Sequence, residues 1–176
     1  MPTQEEFMSL NDLTTTTSTT VNSVKVVKCS LEDGSYIIFP MCGYYTSSTG
    51  TWIGSNALYW SSSLYTPKPY SDAYSIFYSS SWNNGSYRGR CTGQPIRAVS
   101  DTEPTDGHPY LKIGDLYWAT MNIGASSETD YGGYYAWGES ETKDSYTLSE
   151  YKYYEDGEYT KYNANDEKTT LDHEQG

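Results

Sequence analysis

Hydrophobic and polar positions alternate in short runs along most of this chain, and its first dozen residues carry a helical spacing. Thr3 stands where a helix N-cap belongs, and Glu6 three residues on completes a capping box. Phe7 and Leu10 then fall one turn apart on a face suited to burial. The threonine-rich run 14–20 has no apolar alternation and reads as a loop or frayed connection. From Ser23 to Ser30 (SVKVVKCS), β-branched residues predict a strand. Glu32-Asp33-Gly34 is a turn, and Ser35 to Pro40 (SYIIFP) is the returning strand. Residues 41–55, rich in Gly and Ser, read as loop. A short strand is predicted over 57–62, carrying Trp60, and another over 73–80. In the latter, Tyr74, Ile76 and Tyr78 face one way and Ala73, Ser75, Phe77 and Ser79 the other. Trp82-Asn83-Asn84-Gly85-Ser86 carries an Asn-Gly turn signal, with strands following at 86–91 and 95–100.

Residues 102–108, polar with Pro and Gly, read as a linker. Beyond it come strands at 110–113 and 116–123, either side of Gly114-Asp115. An aromatic loop or strand at 132–138 follows, then a helix of about two turns at 147–154 and an acidic, polar, mainly loop segment from 155 to 176. Many short strands with one or two short helices and long loops predict an α+β class.

Composition sharpens this. The 176 residues suffice for one ordinary domain. Only 36% are hydrophobic, and 20 Tyr, 5 Trp and 3 Phe supply much of that. The interior must therefore be built from rings whose polar tips need hydrogen-bond partners. Charge is lopsided: residues 1–101 carry 7 acidic and 6 basic side chains, whereas 102–176 carry 16 and 5. An acidic back portion repels phosphate backbones and anionic lipid surfaces, so nucleic acid is not an expected partner. Cys29, Cys42 and Cys91 form no CxxC pair, so neither a zinc spacing nor a redox motif is present, and buried free thiols are expected. No signal peptide and no stretch of membrane-spanning length is visible.

The stretch from Tyr59 to Arg97 is Tyr, Ser, Trp, Gly and Asn over and over, with little acid or aliphatic bulk. Tyr and Trp give rigid contact area at low entropy cost, and Ser, Gly and Asn give adaptable hydrogen bonds, which is the vocabulary of a recognition surface. The competing reading is that these rings merely cover a small core. Catalysis finds little support. His108 and His173 belong to no HExxH arrangement and adjoin no nucleophile motif, so no enzyme, cofactor or metal site is predicted. The segments 155–158 and 163–167 are oxygen-rich but lack EF-hand spacing.

Six separate segments, LKIGDLYWATMNIGASSETDYGGYYAWGESETKDSY, KTTLDHE, MPTQEEF, IIFPMCGYY, LYWSSSLY and GQPIRAV, together resemble the Fibrobacter succinogenes major paralogous domain family. That family is abundant in Bacteroidetes surface proteins and similar in fold to C-type lectins and formylglycine-generating enzymes. The order differs from the family's: residues 1–101 match the C-terminal part of one repeat unit and 109–176 the N-terminal part of the next. The chain is thus expected either to come from a tandem array or to be a circularly permuted unit. In both cases the portions should complement one another in one compact domain, with the strand near 96–99 pairing with that near 110–113 and the two ends close together.

The resemblance implies a C-type lectin-like fold of short twisted antiparallel strands, with Trp60, Trp118 and Trp137 in the core and Arg97 held structurally. Trp52 and Trp82 are then the candidates for exposure. By similarity to C-type-lectin-like variable proteins, the ligand-binding face is expected at Tyr65, Tyr70, Trp82, Asn83, Asn84, Tyr87, Arg88 and Arg90. Gln94-Pro95-Ile96 and Trp82-Asn83-Asn84 only partly echo the calcium-dependent sugar motifs of C-type lectins. The implied function is a non-catalytic extracellular or cell-surface recognition module for a glycan or protein ligand, with adjacent repeat units as further partners. The alternatives are a spacer repeat without a ligand and, more distantly, a formylglycine-generating-type enzyme.

Overall fold

The computed structural model describes residues 1–79, 83–163 and 170. The opening helix α1 spans Gln4–Leu13. Its capping box is formed: the Glu6 amide donates to Thr3 Oγ1 at 3.1 Å, and the Thr3 amide donates to Glu6 Oε2 at 2.7 Å. Phe7 and Leu10 point inward and are buried.

Three antiparallel strands follow, β1 (Thr15–Val21), β2 (Val24–Ser30) and β3 (Tyr36–Pro40), in the order β1-β2-β3. The threonine run is therefore a strand and not the expected loop. Threonine is β-branched, and the two-residue connection supplies the register. Asn22 and Ser23 both take positive φ (47° and 66°), the pattern of a hairpin turn that matches strand twist. In the stretch expected as loop, β4 (Tyr44–Thr46) and β5 (Thr49–Thr51) form a small hairpin.

The central sheet runs β6-β7-β8, from Ala57–Leu64, Asp72–Tyr78 and Asn83–Gly89, and α1 packs across it. Asn84-Gly85 is not a turn here but mid-ladder, with Gly85 opposite Ile76. A Cβ there would stand 2.2 Å from Nε2 of Gln4 in the helix, the end of a flexible side chain that would have to move aside.

A third sheet, β9 (Arg97–Ser100), β10 (Tyr110–Ile113) and β11 (Leu116–Asn122), has the order β10-β11-β9. Front and back portions do pair edge to edge, but the partner of β9 is β11, not the opening strand of the back portion. A tight turn at Gly114 (φ 62°) folds β10 onto one edge of β11 and leaves its other edge for β9. The predicted two-turn helix shrinks to one 3-10 turn, Leu148–Glu150. Tyr151 and Tyr153, two residues apart, both turn inward and donate to the Trp137 and Gly138 carbonyls, a spacing no helix face allows. Beyond it β12 (Tyr154–Glu155) and β13 (Glu158–Tyr159) form a hairpin around Asp156-Gly157, so the first oxygen-rich segment is turn chemistry. The segment 164–167 lies outside the described residues.

Among the described residues the fold is thus mostly short antiparallel strands with one α-helix. Its core contains Phe7, Phe39, Tyr59, Tyr78 and Trp118, all essentially inaccessible to solvent. A second cluster joins Trp60, Leu64 and Ala73 to Trp137 and Tyr162. Here the front and back portions exchange hydrogen bonds: the Trp60 indole donates to the Tyr135 carbonyl and the Trp137 indole to the Ser61 carbonyl, each at 2.8 Å. Backbone bridges join Gln94 to Tyr135 and Ser47 to Tyr146. At the other end of the chain Thr170 bridges Ser63 of β6, whose neighbour Ser62 donates its amide to the Pro2 carbonyl. Residues 171–176 lie outside the described residues.

Arg97 is buried and binds both portions. Its guanidinium donates to the Ile38 and Ala119 carbonyls and, from two nitrogens, to Asn122 Oδ1, at distances of 2.8–3.1 Å. The Phe39 ring lies 4.5 Å below it.

Candidate functional site

Strand pleating distributes the predicted binding residues. Tyr87 pairs with Tyr74 and Arg88 with Ala73 across β7 and β8, so Tyr87 and Arg88 emerge on opposite faces of the central sheet. On Tyr87's face, the rings of Tyr65 and Tyr87 stack with centroids 3.9 Å apart and planes 6° from parallel. Tyr74 meets Tyr65 edge-on at 5.2 Å. Tyr74 also lines a cleft of about 410 Å³ with Thr3, Gln4, Ser63 and Thr66.

On the opposite face, Arg88 sits in an aromatic corner. Its guanidinium carbon lies 5.2 Å from the Tyr44 ring centroid and 5.3 Å from that of Trp52, and its Nη1 donates to the Tyr87 carbonyl at 2.7 Å. Trp52 in turn meets Tyr44 and Phe77 edge-on at 5.6 and 5.7 Å. The Trp52 side chain is 43% exposed and Ile53 beside it 42%.

The backbone here is unusual. Trp52 takes φ 60°, a left-handed conformation that costs a bulky residue on the order of 1–3 kcal/mol. Hydrogen bonds fix it: the Trp52 carbonyl accepts from the Ser55 and Asn56 amides and from Ser55 Oγ. Gly43 lets the chain pass closely behind, since a Cβ there would lie 2.1 Å from the Thr51 carbonyl. The backbone that carries the half-exposed indole is thereby held in place.

Arg90 does not belong to a contact face. It is fully buried and closes an internal box. Its guanidinium carbon lies 4.8 Å from the Tyr159 ring centroid and 5.6–5.8 Å from those of Trp137, Tyr151 and Tyr162. Its nitrogens donate to the Tyr70 and Lys161 carbonyls. The reason is compositional: the back portion supplies the rings and the Lys161 carbonyl, and the front portion the Tyr70 carbonyl, all of which attract a weakly hydrated cation. Tyr70 is exposed and meets Tyr159 at the mouth of this box. Trp82 lies outside the described residues. Asn83 and Asn84 are placed only as backbone of β8. Trp52 stands exposed as its loop context predicts, but Tyr44 and Phe77, which frame it, were missed by sequence reasoning. The available signal was the Tyr44-Tyr45 pair flanking the Gly-rich loop.

For thiol chemistry the site is poorly equipped. Burial pushes Cys29 up to about 11 and Cys42 up to about 12, so both stay protonated and weakly nucleophilic at neutral pH. A thiol reagent at pH 7.5 is expected to reach only half-buried Cys91 in the native chain and all three thiols after denaturation. Rapid native labelling of Cys42 would contradict this burial. Among the described residues, no group of three or more His, Cys, Asp or Glu is placed to hold a metal ion. No described helix is long and apolar enough to cross a membrane. Comparison with protein-family models, curated proteins and solved structures found no match to this chain.

Proposed function

We propose that this chain is a non-catalytic recognition module of a bacterial surface protein, with a C-type lectin-like body, and that it binds a glycan or protein ligand through its exposed rings. The observation that carries the reading is Trp52: a large, half-exposed indole held in a costly backbone conformation beside Arg88 and Tyr44. Strain of this kind persists where the surrounding structure enforces it and clusters at ligand-contacting positions. A rigid indole face next to a guanidinium suits a sugar ring, whose C–H groups stack on the indole while its hydroxyls accept from the arginine. It suits equally the aromatic or acidic side chains of a protein hot spot. The stacked Tyr65–Tyr87 pair on the other sheet face offers a second, independent surface.

Glycan-array screening, followed by calorimetry on any ligand found, tests this. Trp52→Ala is expected to weaken binding by about thirtyfold or more, the loss of a central anchor worth roughly 2 kcal/mol. Arg88→Ala is expected to weaken it by about tenfold. A ligand whose affinity is indifferent to both substitutions places the site elsewhere. A chain that captures no glycan and no partner protein fits the spacer reading instead.

A further inference from the structure

We propose that β1 is a docking edge and that its occupant is the β1 of a second copy of this chain, paired antiparallel about a two-fold axis through Ser18. The inference stands apart from the ligand-binding reading.

β1 is the outer strand of its sheet and pairs only with β2 among the described residues. It holds register with β2 over all seven residues without a bulge, and most of its residues are exposed. Natural edge strands are commonly protected by Lys, Pro, a bulge, brevity or a covering element. β1 (TTTSTTV) has no charge, no proline and no bulge.

The hairpin geometry shows which backbone groups are left over. The two-residue turn at Asn22-Ser23 makes Val21 and Val24 its hydrogen-bonded closing pair. Bonding alternates from there, so Thr15, Thr17, Thr19 and Val21 direct their amides and carbonyls at β2. Thr16, Ser18 and Thr20 direct theirs outward, and no described backbone group outside the hairpin bonds to them.

The sequence singles out a second copy as the occupant. About Ser18 the five central residues read the same in both directions: Thr17 mirrors Thr19 and Thr16 mirrors Thr20, and only the outermost pair, Thr15 and Val21, differs. A two-fold through Ser18 therefore sets threonine against threonine and serine against serine, and pairs every outward amide with an outward carbonyl. Threonine–threonine cross-strand pairs are favourable on a sheet. Charge agrees. The chain carries −12 overall, but residues 1–101 carry a near-balanced 7 acidic and 6 basic groups, and the joining strand carries none. The lysines of the neighbouring strand, Lys25 and Lys28, lie on β2, one strand further in. The product is one six-stranded sheet running β3-β2-β1 and on through the same strands of the partner in reverse. Strand pairing alone buries less area than a standard stable interface, so the dimer should be weak and concentration-dependent.

Sedimentation equilibrium of the full chain tests this. The expected weight-average mass rises from 19.8 kDa at low concentration toward about twice that. Ser18→Pro should hold it at 19.8 kDa, because that amide faces away from β2 and its loss spares the hairpin. Should the proline variant fail to fold by circular dichroism, Thr17→Lys with Thr19→Lys places like charges across the joint and serves in its stead. Register is read separately. In a Cys91→Ser background, Ser18→Cys should form a disulfide-linked dimer on mild oxidation, since paired Cα atoms there stand about 5.5 Å apart. Thr16→Cys, opposite Thr20 of the other copy, should not. A wild-type chain monomeric at its highest soluble concentration overturns the proposal. So does a dimer untouched by the strand substitutions, or a Ser18→Cys chain that cross-links no better than Thr16→Cys.

Discussion

Replacing Arg97 with alanine is expected to destabilise the chain by on the order of 4 kcal/mol, a large part of what holds a domain of this size folded. Three buried acceptors, the Ile38 and Ala119 carbonyls and Asn122 Oδ1, would lose their donors together. An orphaned buried polar group costs roughly 1–3 kcal/mol. A void would also open against Phe39. One effect opposes these. Burial alone makes the guanidinium charge unfavourable, which is the main cause of its lowered pKa, and alanine removes that cost. The hydrogen-bond partners of Arg97 are carbonyl oxygens rather than a carboxylate, so no bare anion is left behind. The loss should therefore fall short of that for a broken buried ion pair. Urea titration separates the contributions. Arg97→Met refills the space but supplies no donor, and should recover less than half of the lost stability. Arg97→Lys offers a point charge in place of a fork and should also fail to restore it. Near-native stability in the methionine variant would show that packing, not hydrogen bonding, is what Arg97 provides.

Alkaline pH should begin to destabilise the protein from about pH 8.5, before its tyrosines titrate in water. Cys29 and Cys42 are raised, chiefly by burial, to about 11 and about 12. In the unfolded chain a thiol ionises near pH 8.5–9. Between that point and the folded value the native state holds protons that the unfolded state has released, so stability falls as pH rises. The contribution is fully present below about pH 8.5 and shrinks by about 1.4 kcal/mol per pH unit for each thiol above it. Two thiols acting from pH 9 to 11 remove on the order of 5 kcal/mol. Burial also holds Tyr59 and Tyr78 well above their usual range, which continues the loss past pH 10. The melting temperature should drop steeply above about pH 8.5. Cys29→Ala and Cys42→Ala should each flatten that drop, at some cost in packing at neutral pH. A level profile through pH 10.5 would remove the buried thiols from this account.

The sequence announced some of this architecture and concealed the rest, for reasons visible residue by residue. Thr3 and Glu6 declared the helix start because a capping box is local chemistry. The alternation of β7 was legible for the same reason. The β1 threonines misled because strand alternation shows only when one face is buried, and both faces of β1 are largely wet. Asn84-Gly85 misled because both residues are paired mid-ladder, opposite Phe77 and Ile76 of β7, and a turn signal says nothing of such a partner. Of the binding residues, Arg90 was misassigned to the surface because its aromatic box comes from residues 137–162, and nothing near Arg90 announces them. The placing of Tyr87 and Arg88 on opposite faces was available from pleating alone, since the strand predicted over 86–91 holds both.

The paired indoles of Trp60 and Trp137 bear on how the molecule comes into being. Each depends on a carbonyl 75 or 76 residues away. Closing so large a loop must precede any reward from the contacts that seal it, and topologies of that kind acquire their shape slowly. During synthesis, the Trp60 indole and the Ser61 carbonyl must wait without these partners until residues 135–137 have left the ribosome.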